Sequence, residues 1–372
     1  MFVVAKLAGI EIRARSLKSG LGSDACPHRT NLLREEKMVG HSRFVTFVFA
    51  LFIVLASSAF AAGFPEKDLQ GYIPWGAGGA TDNVSRALTP HVEEALGKKI
   101  VLVNKTGGTG AIATQFVHTQ PSDGYTLLYA AENAQLYPVI GLSDLTYSKD
   151  FFPVNIVARG TVLILANNNT PWNSFKEMVE DAQKRPGKIK MGSAGKGSVP
   201  FVVGALLKAV TSFDVITIPF DGDGPGLTAL QGGHVDVWPA SYTAASELIR
   251  SGRVKVLAIV ADEPVPGLEQ YPLITKDFPG FKKFLPWGPF YGVHCNKDVP
   301  AAAKKILVDA FQKGVEAPKF QEFLANFGTV SMNISGDEAY AFLNHWQSVT
   351  AWLLQDAGAA NVSPATLGIP KP

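Results

Sequence analysis

A chain of 372 residues, 47% hydrophobic and only 18% charged, is long enough for two domains that each bury a core of their own. The formal net charge is +2 and no basic stripe runs along the sequence, which excludes nucleic acid as a partner. Two cysteines, Cys26 and Cys295, are too few for a disulfide scaffold.

The first 62 residues differ in kind from the rest. His41 and Arg43 precede an almost unbroken apolar run from Phe44 to Leu55, and Ala56-Ser57-Ser58-Ala59-Phe60-Ala61 follows it. A basic start, an apolar core and an A-x-A site make a secretory signal, with cleavage expected after Ala61. A retained anchor is the alternative, but the run falls below the ~20 residues that a spanning helix needs. Met38 is a sensible second start in front of this signal, so residues 1–37 read as an overextended reading frame. Removal of the segment leaves Cys295 alone, with no intramolecular disulfide to form. Cys295 closes the apolar run Phe290-Tyr291-Gly292-Val293-His294 and reads as a buried small hydrophobe in preference to a nucleophile.

From Phe64 onward strands and helices alternate, which predicts an α/β chain with mainly parallel sheet. The first strand ends at Ile73-Pro74, since proline lacks the N–H that a ladder needs. Trp75-Gly76-Ala77-Gly78-Gly79-Ala80 then turns tightly, and a helix begins near Thr81, a good N-cap, with Asp82 a favourable charge in its first turn. Val84, Ala87, Leu88, Val92 and Ala95 share one helical face. A glycine loop that feeds a helix N-terminus holds anions, although the same pattern also serves as a plain turn with nothing bound. Lys99 to Asn104 is a strand, Lys105-Thr106-Gly107-Gly108-Thr109-Gly110 a second glycine loop, Ala111 to Thr119 a helix, and Tyr125 to Ala130 a buried strand. The apolar run from Val154 to Ala166 is interrupted only by Arg159-Gly160-Thr161, and holds two strands with a crossing between domains.

Phe175 to Lys184 is helical, capped by Ser174. Ser193-Ala194-Gly195-Lys196-Gly197-Ser198 is a third small-residue loop, before a helix from about Pro200. Val215 to Phe220 is a strand, and the helix Gly226 to Gln231 leads to a strand over His234 to Trp238. Lys255 to Val260 is another strand, whereas Pro264 to Pro289 reads as a long surface connection. Pro300 opens a helix to about Gly314. The last helix carries a capping box at Ser335-Gly336-Asp337-Glu338 and an apolar stripe of Ala339, Phe342, Leu343, Trp346, Val349 and Leu353. The proline-rich residues 364–372 read as a frayed tail.

Ile73-Pro74-Trp75-Gly76-x-Gly78 echoes in Ile218-Pro219-Phe220-x-Gly222-x-Gly224, again where a strand meets a helix. Such junctions at the carboxyl ends of strands are where open α/β sheets bind ligands, and two facing ones would make an interdomain cleft.

The ordered set of motifs resembles the substrate-binding component of tripartite tricarboxylate transporters, the Bug family. It comprises the Pro74 to Asp82 run, Val103-Asn104-Lys105-x-Gly107-Gly108, Pro121-x-Asp123-Gly124-Tyr125-Thr126-Leu127, and Gly192-Ser193-Ala194-Gly195-x-Gly197-Ser198. Gly222-x-Gly224-Pro225 with Leu227 to Leu230 and Gly232-Gly233-His234-Val235-Asp236 complete it. The resemblance implies a two-lobed periplasmic binding protein, type II-like, with crossing strands and a ligand cleft between lobes. Its expected parts are a signal and upstream extension over 1–61, a first lobe over 66–162 and 289–358, a second over 163–288, and a tail over 359–372. It further implies a monomer without catalysis, cofactor or metal, which closes on a small carboxylate and delivers it to membrane permease subunits. Carried onto this sequence, the first lobe contributes Trp75, Gly78, Gly79, Thr81, Asp82 and Asn133. The second contributes Ser193, Ala194, Gly195, Ser198, Phe220, Asp221, Trp238 and Ser241.

Residue chemistry agrees with a carboxylate, because loop N–H groups and the hydroxyls of Thr81, Ser193 and Ser198 can hold an oxyanion without a fixed counter-charge. Each helix terminus contributes about 0.3–1 kcal/mol, so several must converge. Asp221 and Asp223 are the departure. Two carboxylates beside an anion are unfavourable unless they point away or pair with Lys196; alternatively the ligand carries an amine or hydroxyl groups from which Asp221 can accept. An Asp-x-Asp loop also invites calcium, but two donors fall short of the 6–8 that calcium takes. His91 and Glu94 share a helix face that reads as solvated. A dinucleotide enzyme is disfavoured, since Thr81 stands where the third glycine of the fingerprint belongs and the next strand ends in Asn104-Lys105. A sensor module that binds the same ligand but docks on a signalling receptor remains the alternative to transport.

Overall fold

The computed structural model describes residues 63–285 and 287–372. The secretory segment, its expected cleavage after Ala61, and Cys26 all lie outside the described residues.

In chain order, β1 (Leu69–Ile73), α1 (Ala80–Leu96), β2 (Ile100–Asn104), α2 (Ala111–His118), β3 (Thr126–Ala131), the single turn α3 (Tyr147–Asp150) and β4 (Phe151–Arg159) come first. The middle of the chain forms β5 (Val162–Asn167), α4 (Phe175–Lys184), β6 (Lys190–Ser193), α5 (Val199–Thr211), β7 (Ile216–Pro219), α6 (Asp223–Gln231), β8 (Val237–Ser241), α7 (Tyr242–Arg250) and β9 (Val254–Ile259). It ends with β10 (Phe290–Asn296), α8 (Ala301–Glu316), α9 (Pro318–Asn326), β11 (Val330–Ile334) and α10 (Gly336–Asp356).

Two sheets result, ordered β11-β4-β10-β3-β1-β2 and β7-β6-β8-β5-β9. Each is the floor of one lobe. The chain crosses from the first sheet to the second at Gly160-Thr161 and returns through residues 260–289, and the crossings touch where Gly160 N–H donates to Pro289 O at 2.9 Å. The expectation of mainly parallel sheet needs correction. β1 runs parallel to β2 and β3, and β6 to β7 and β8, but β10 is antiparallel to β3 and β4, β11 to β4, and β5 to β8 and β9. Strands that arrive from the other lobe enter against their neighbours, without the helical crossover that parallel pairing requires.

On one face of the first sheet Val84, Leu88 and Val92 of α1 join Leu307, Ala310, Phe311 and Val315 of α8 in one core. Ser174 caps α4 as its sequence predicts, accepting from Glu177 N–H. Ser335 does not complete a capping box: its hydroxyl accepts from Gln312 Nε2 of α8, and no side chain caps α10. The α10 stripe is buried at Ala339, Leu343, Trp346 and Leu353.

Two loop readings are overturned. The stretch 264–289 is no surface connection, for Leu268, Ile274, Phe281, Phe284 and Trp287 are buried, and Trp287 Nε1 donates to Thr350 Oγ1. Nor is 364–372 frayed. Ile369 is buried, while Ser348 Oγ and Trp352 Nε1 of α10 both donate to Pro370 O. In both stretches aromatic and aliphatic side chains spaced without period still bury area that an exposed loop would waste.

In the second lobe the Trp238 ring lies between two glycines. A Cβ added at Gly192 would come within 2.1 Å of the ring, and one at Gly226 equally close. Alanine at 226 suits a helix, by about 1 kcal/mol over glycine. The clash is larger, so Gly226→Ala is expected to expel the ring and destabilise the protein by about 3 kcal/mol, the upper end of overpacking costs. Urea midpoints of variant and parent check this, and an unchanged midpoint refutes it.

Candidate functional site

The echoing junctions meet. After β1, Pro74 and Trp75 carry the chain into the glycine loop, and after β7, Phe220 to Gly222 do the same. Gly76 N–H donates across to Asp221 O at 2.9 Å. The loops approach so closely that a Cβ on Gly224 would lie 2.1 Å from Ala77 O. A side-chain bond from Asn83 Nδ2 to Thr243 O further joins the lobes.

Beside this backbone contact lies a cavity of about 40 Å³, walled by Trp75, Gly79, Ala80, Thr81, Ala131 and Glu132 on one side. Ala194, Ser198, Val199, Pro200, Gly222, Asp223 and Ser241 wall the other, with Pro289 from the return crossing and Tyr291 from β10. Four helices begin at its edge: α1 after Gly79, α5 after Ser198, α6 after Gly222 and α7 after Ser241. First-turn N–H groups have no partner within their own helix, so these ends direct donors and positive dipole ends toward one spot. The volume admits about three waters. Ordinary ligand pockets run to about 300–1,000 Å³, so a solute enters only if the lobes part.

Of the side chains expected here, Trp75, Gly79, Thr81, Ala194, Ser198 and Ser241 line the cavity. The others are placed differently. Gly79, not Thr81, is the N-cap of α1, because the helix starts at Ala80, two residues before a Thr81 cap would place it. Gly78 donates its N–H to Asp82 Oδ2, and Asp82 also accepts from Arg86 Nε and Asn104 Nδ2. Burial alone would raise the Asp82 pKa, but those hydrogen bonds outweigh it and hold the carboxyl below its ordinary value. Asp82 therefore braces the loop. Asn133 spends its amide on Thr109 O and the Tyr137 hydroxyl. Gly195 O accepts from Ser198 Oγ, an internal tie of its loop. Ser193 is buried and its hydroxyl has no partner, and it borders a separate groove with Lys196 and Lys208. Phe220 packs edge-on against Trp238 in the second lobe's core, and Trp238 donates Nε1 to Asp223 Oδ1 at 2.8 Å. Asp221 is exposed and offers only its backbone carbonyl to the other lobe.

Sequence reading missed Glu132 and Tyr291, and weighed Asp223 as a disturbance to an anion, a partner of Lys196 or a calcium donor. Glu132 opens a 3₁₀ turn over Glu132–Leu136, is 1% exposed, and leaves Oε2 without a hydrogen-bond partner. Burial, reinforced by the charge of Asp223, pushes its pKa up to about 8. Burial likewise lifts Asp223 to about 6, against the opposing bond from Trp238. Tyr291 is buried with its hydroxyl unpartnered, and burial raises its pKa. The cavity lining contains no lysine or arginine. Among the described residues no three His, Cys, Asp or Glu side chains gather to hold a metal ion.

Two α/β lobes, joined by crossing strands and closed over a cavity ringed by helix N-termini, define a two-lobed solute-binding protein of the periplasmic class. The comparisons give the family. Residues 84–357 match the tripartite tricarboxylate transporter family receptor, and the chain belongs to that family. It is similar to the solved periplasmic binding protein BugD, 30% identical over 80% of this chain and 99% of that one, with a TM-score of 0.74. It is also similar to MatC from Rhodopseudomonas palustris, solved with bound malate: 26% identical over 77% of this chain and 100% of that one, TM-score 0.70. Protein BugT of Bordetella pertussis is 25% identical over 82% of this chain and 94% of its own length. Membership implies a periplasmic location and a receptor's place beside a membrane transporter.

Proposed function

We propose that the protein captures a small carboxylate between its lobes, a di- or tricarboxylate or an aromatic acid, and delivers it to the permease subunits of a tripartite tricarboxylate-type transporter. The observation that carries this reading is the convergence of four helix N-termini, one from the first lobe and three from the second, on one cavity. The malate in MatC supports a carboxylate for this chain as well. Export on the segment ending at Ala61, monomeric action, binding without catalysis, and the lobe boundaries near residues 162 and 289 belong to the same proposal.

A ligand held only by the folded form must raise its melting temperature, by an amount set by RT ln(1 + [L]/Kd). A melting screen of di- and tricarboxylates, aromatic acids and amino acids is expected to yield a shift of several degrees with at least one carboxylate. A response to polyols or cations alone would overturn the assignment. Loss of carboxylate uptake by cells that lack this protein, restored by its return, separates delivery to a permease from sensing.

A further inference from the structure

We propose that the protein has a second binding site, outside the interlobe cavity, for an elongated anion with an apolar body, of the medium-chain fatty acid kind. The site is a groove beside α5, and the anionic head lies at Ser193 and Lys196. β7 is the edge strand of the second sheet, and a groove of about 380 Å³ runs over it. That is the size of an ordinary ligand pocket, roughly 300–1,000 Å³, and the groove shares no lining residue with the interlobe cavity. Met191 and Ser193 of β6 and Val215 and Thr217 at β7 form its floor, α5 one wall, and the segment 357–361 after α10 the other. This outer wall is pinned in place: Asn361 N–H donates to Val139 O at 2.9 Å, and its Nδ2 to Ile140 O at 2.8 Å. The groove is therefore preformed.

The strand sets which way Ser193 points. Gly192 backs onto the Trp238 ring, so its neighbours Met191 and Ser193 project from the opposite face of the sheet, where Met191 meets Gly204 of α5. On that face Ser193 is 2% exposed, borders the groove and has a hydroxyl with no partner. A buried hydroxyl left so is costly, and an anionic oxygen supplies the acceptor it lacks. The groove also has two unlike ends. β6 and β7 are parallel, so Ser193 at the end of β6 and Val215 before β7 lie at opposite ends of the floor. α5 starts after the loop that follows Ser193 and runs back toward Val215. Its Phe201, Gly204, Ala205 and Lys208 line the groove at i, i+3, i+4 and i+7, a single stripe about 10 Å long. Lys208 and Asp214 belong to the Val215 end, where their charges offset. At the Ser193 end Lys196 has no acid beside it in the lining. Among the described residues neither lysine forms an ion pair. Between the ends Met191, Phe201, Ala205, Phe213 and Val215 make the lining apolar. One negative head and a long apolar body match this layout, whereas a compact polyanion does not.

Titration calorimetry with octanoate, and with octanamide as its uncharged counterpart, tests the proposal. Octanoate is expected to bind about fivefold tighter or better, the range that one partly exposed charge supplies. Lys196→Gln and Ser193→Ala should each weaken octanoate about threefold or more. Thr217→Trp should abolish its binding, since Thr217 is exposed on the groove floor and an indole there fills the space, while aromatic residues suit a strand. Octanamide binding as tightly as octanoate, or full affinity in Lys196→Gln or Ser193→Ala, would overturn the anionic head. Full affinity in Thr217→Trp would put octanoate elsewhere, the interlobe cavity included, and overturn the site. So would failure of the parent protein to bind octanoate.

Discussion

Gly224→Ala is expected to hold the lobes apart and weaken ligand binding by about 100-fold, equal to about 3 kcal/mol. The added methyl would sit 2.1 Å from Ala77 O and 3.3 Å from Gly79 N, both backbone atoms of the opposite lobe. Backbone cannot swing aside as a side chain can, so the contact between the two loops must break. Within its own lobe the change is benign, because Gly224 lies in the first turn of α6 without a positive φ, and alanine favours helix there. Circular dichroism should therefore be unchanged, while small-angle scattering shows a larger radius and calorimetry a weaker ligand. Full affinity in the variant would show that closure does not depend on this contact.

The second large effect concerns the empty protein. Glu132 has a folded pKa of about 8 against an ordinary value of 4.5, so between those values the native state holds a proton that the unfolded chain has released. Stability is then fully present below about pH 4.5 and is lost as pH rises toward 8, by up to about 1.4 kcal/mol per unit. Asp223, lifted from 3.8 to about 6, acts in the same direction over a lower window. Urea midpoints are expected to fall between pH 5 and pH 8. Glu132→Gln should flatten the slope from pH 6 to 8 and exceed the parent in stability at pH 8. A parent midpoint that rises across this range would contradict the burial of these acids.

Much of the frame was legible in the chain because proline and glycine act locally. Pro74 and Pro219 stop strands, glycines turn the loops that follow, and the Arg159-Gly160-Thr161 interruption marks the crossing between sheets. The elements that escaped notice carry weak periodic signals. α7 buries Thr243, Ala245 and Ser246, side chains too small or polar to make a stripe, and β11 is half exposed. The capping box failed for a tertiary reason, since a distant glutamine claims its serine. The site was legible as loops but not as chemistry. Glu132 looks like any strand-end acid until β10 and α6 close over it, and no local pattern records such burial. Asp221 and Asp223, two residues apart, are equivalent in sequence, yet one is exposed and the other receives the Trp238 indole.

The bond from Gly76 to Asp221 joins two uncharged peptide groups, and among the described residues no ion pair spans the lobes. Dissolved electrolyte weakens attraction between charges but scarcely touches an amide–carbonyl bond. The balance between shut and unshut molecules should thus hold steady in brine or fresh water, an asset in a compartment whose ion content follows the surroundings of the cell.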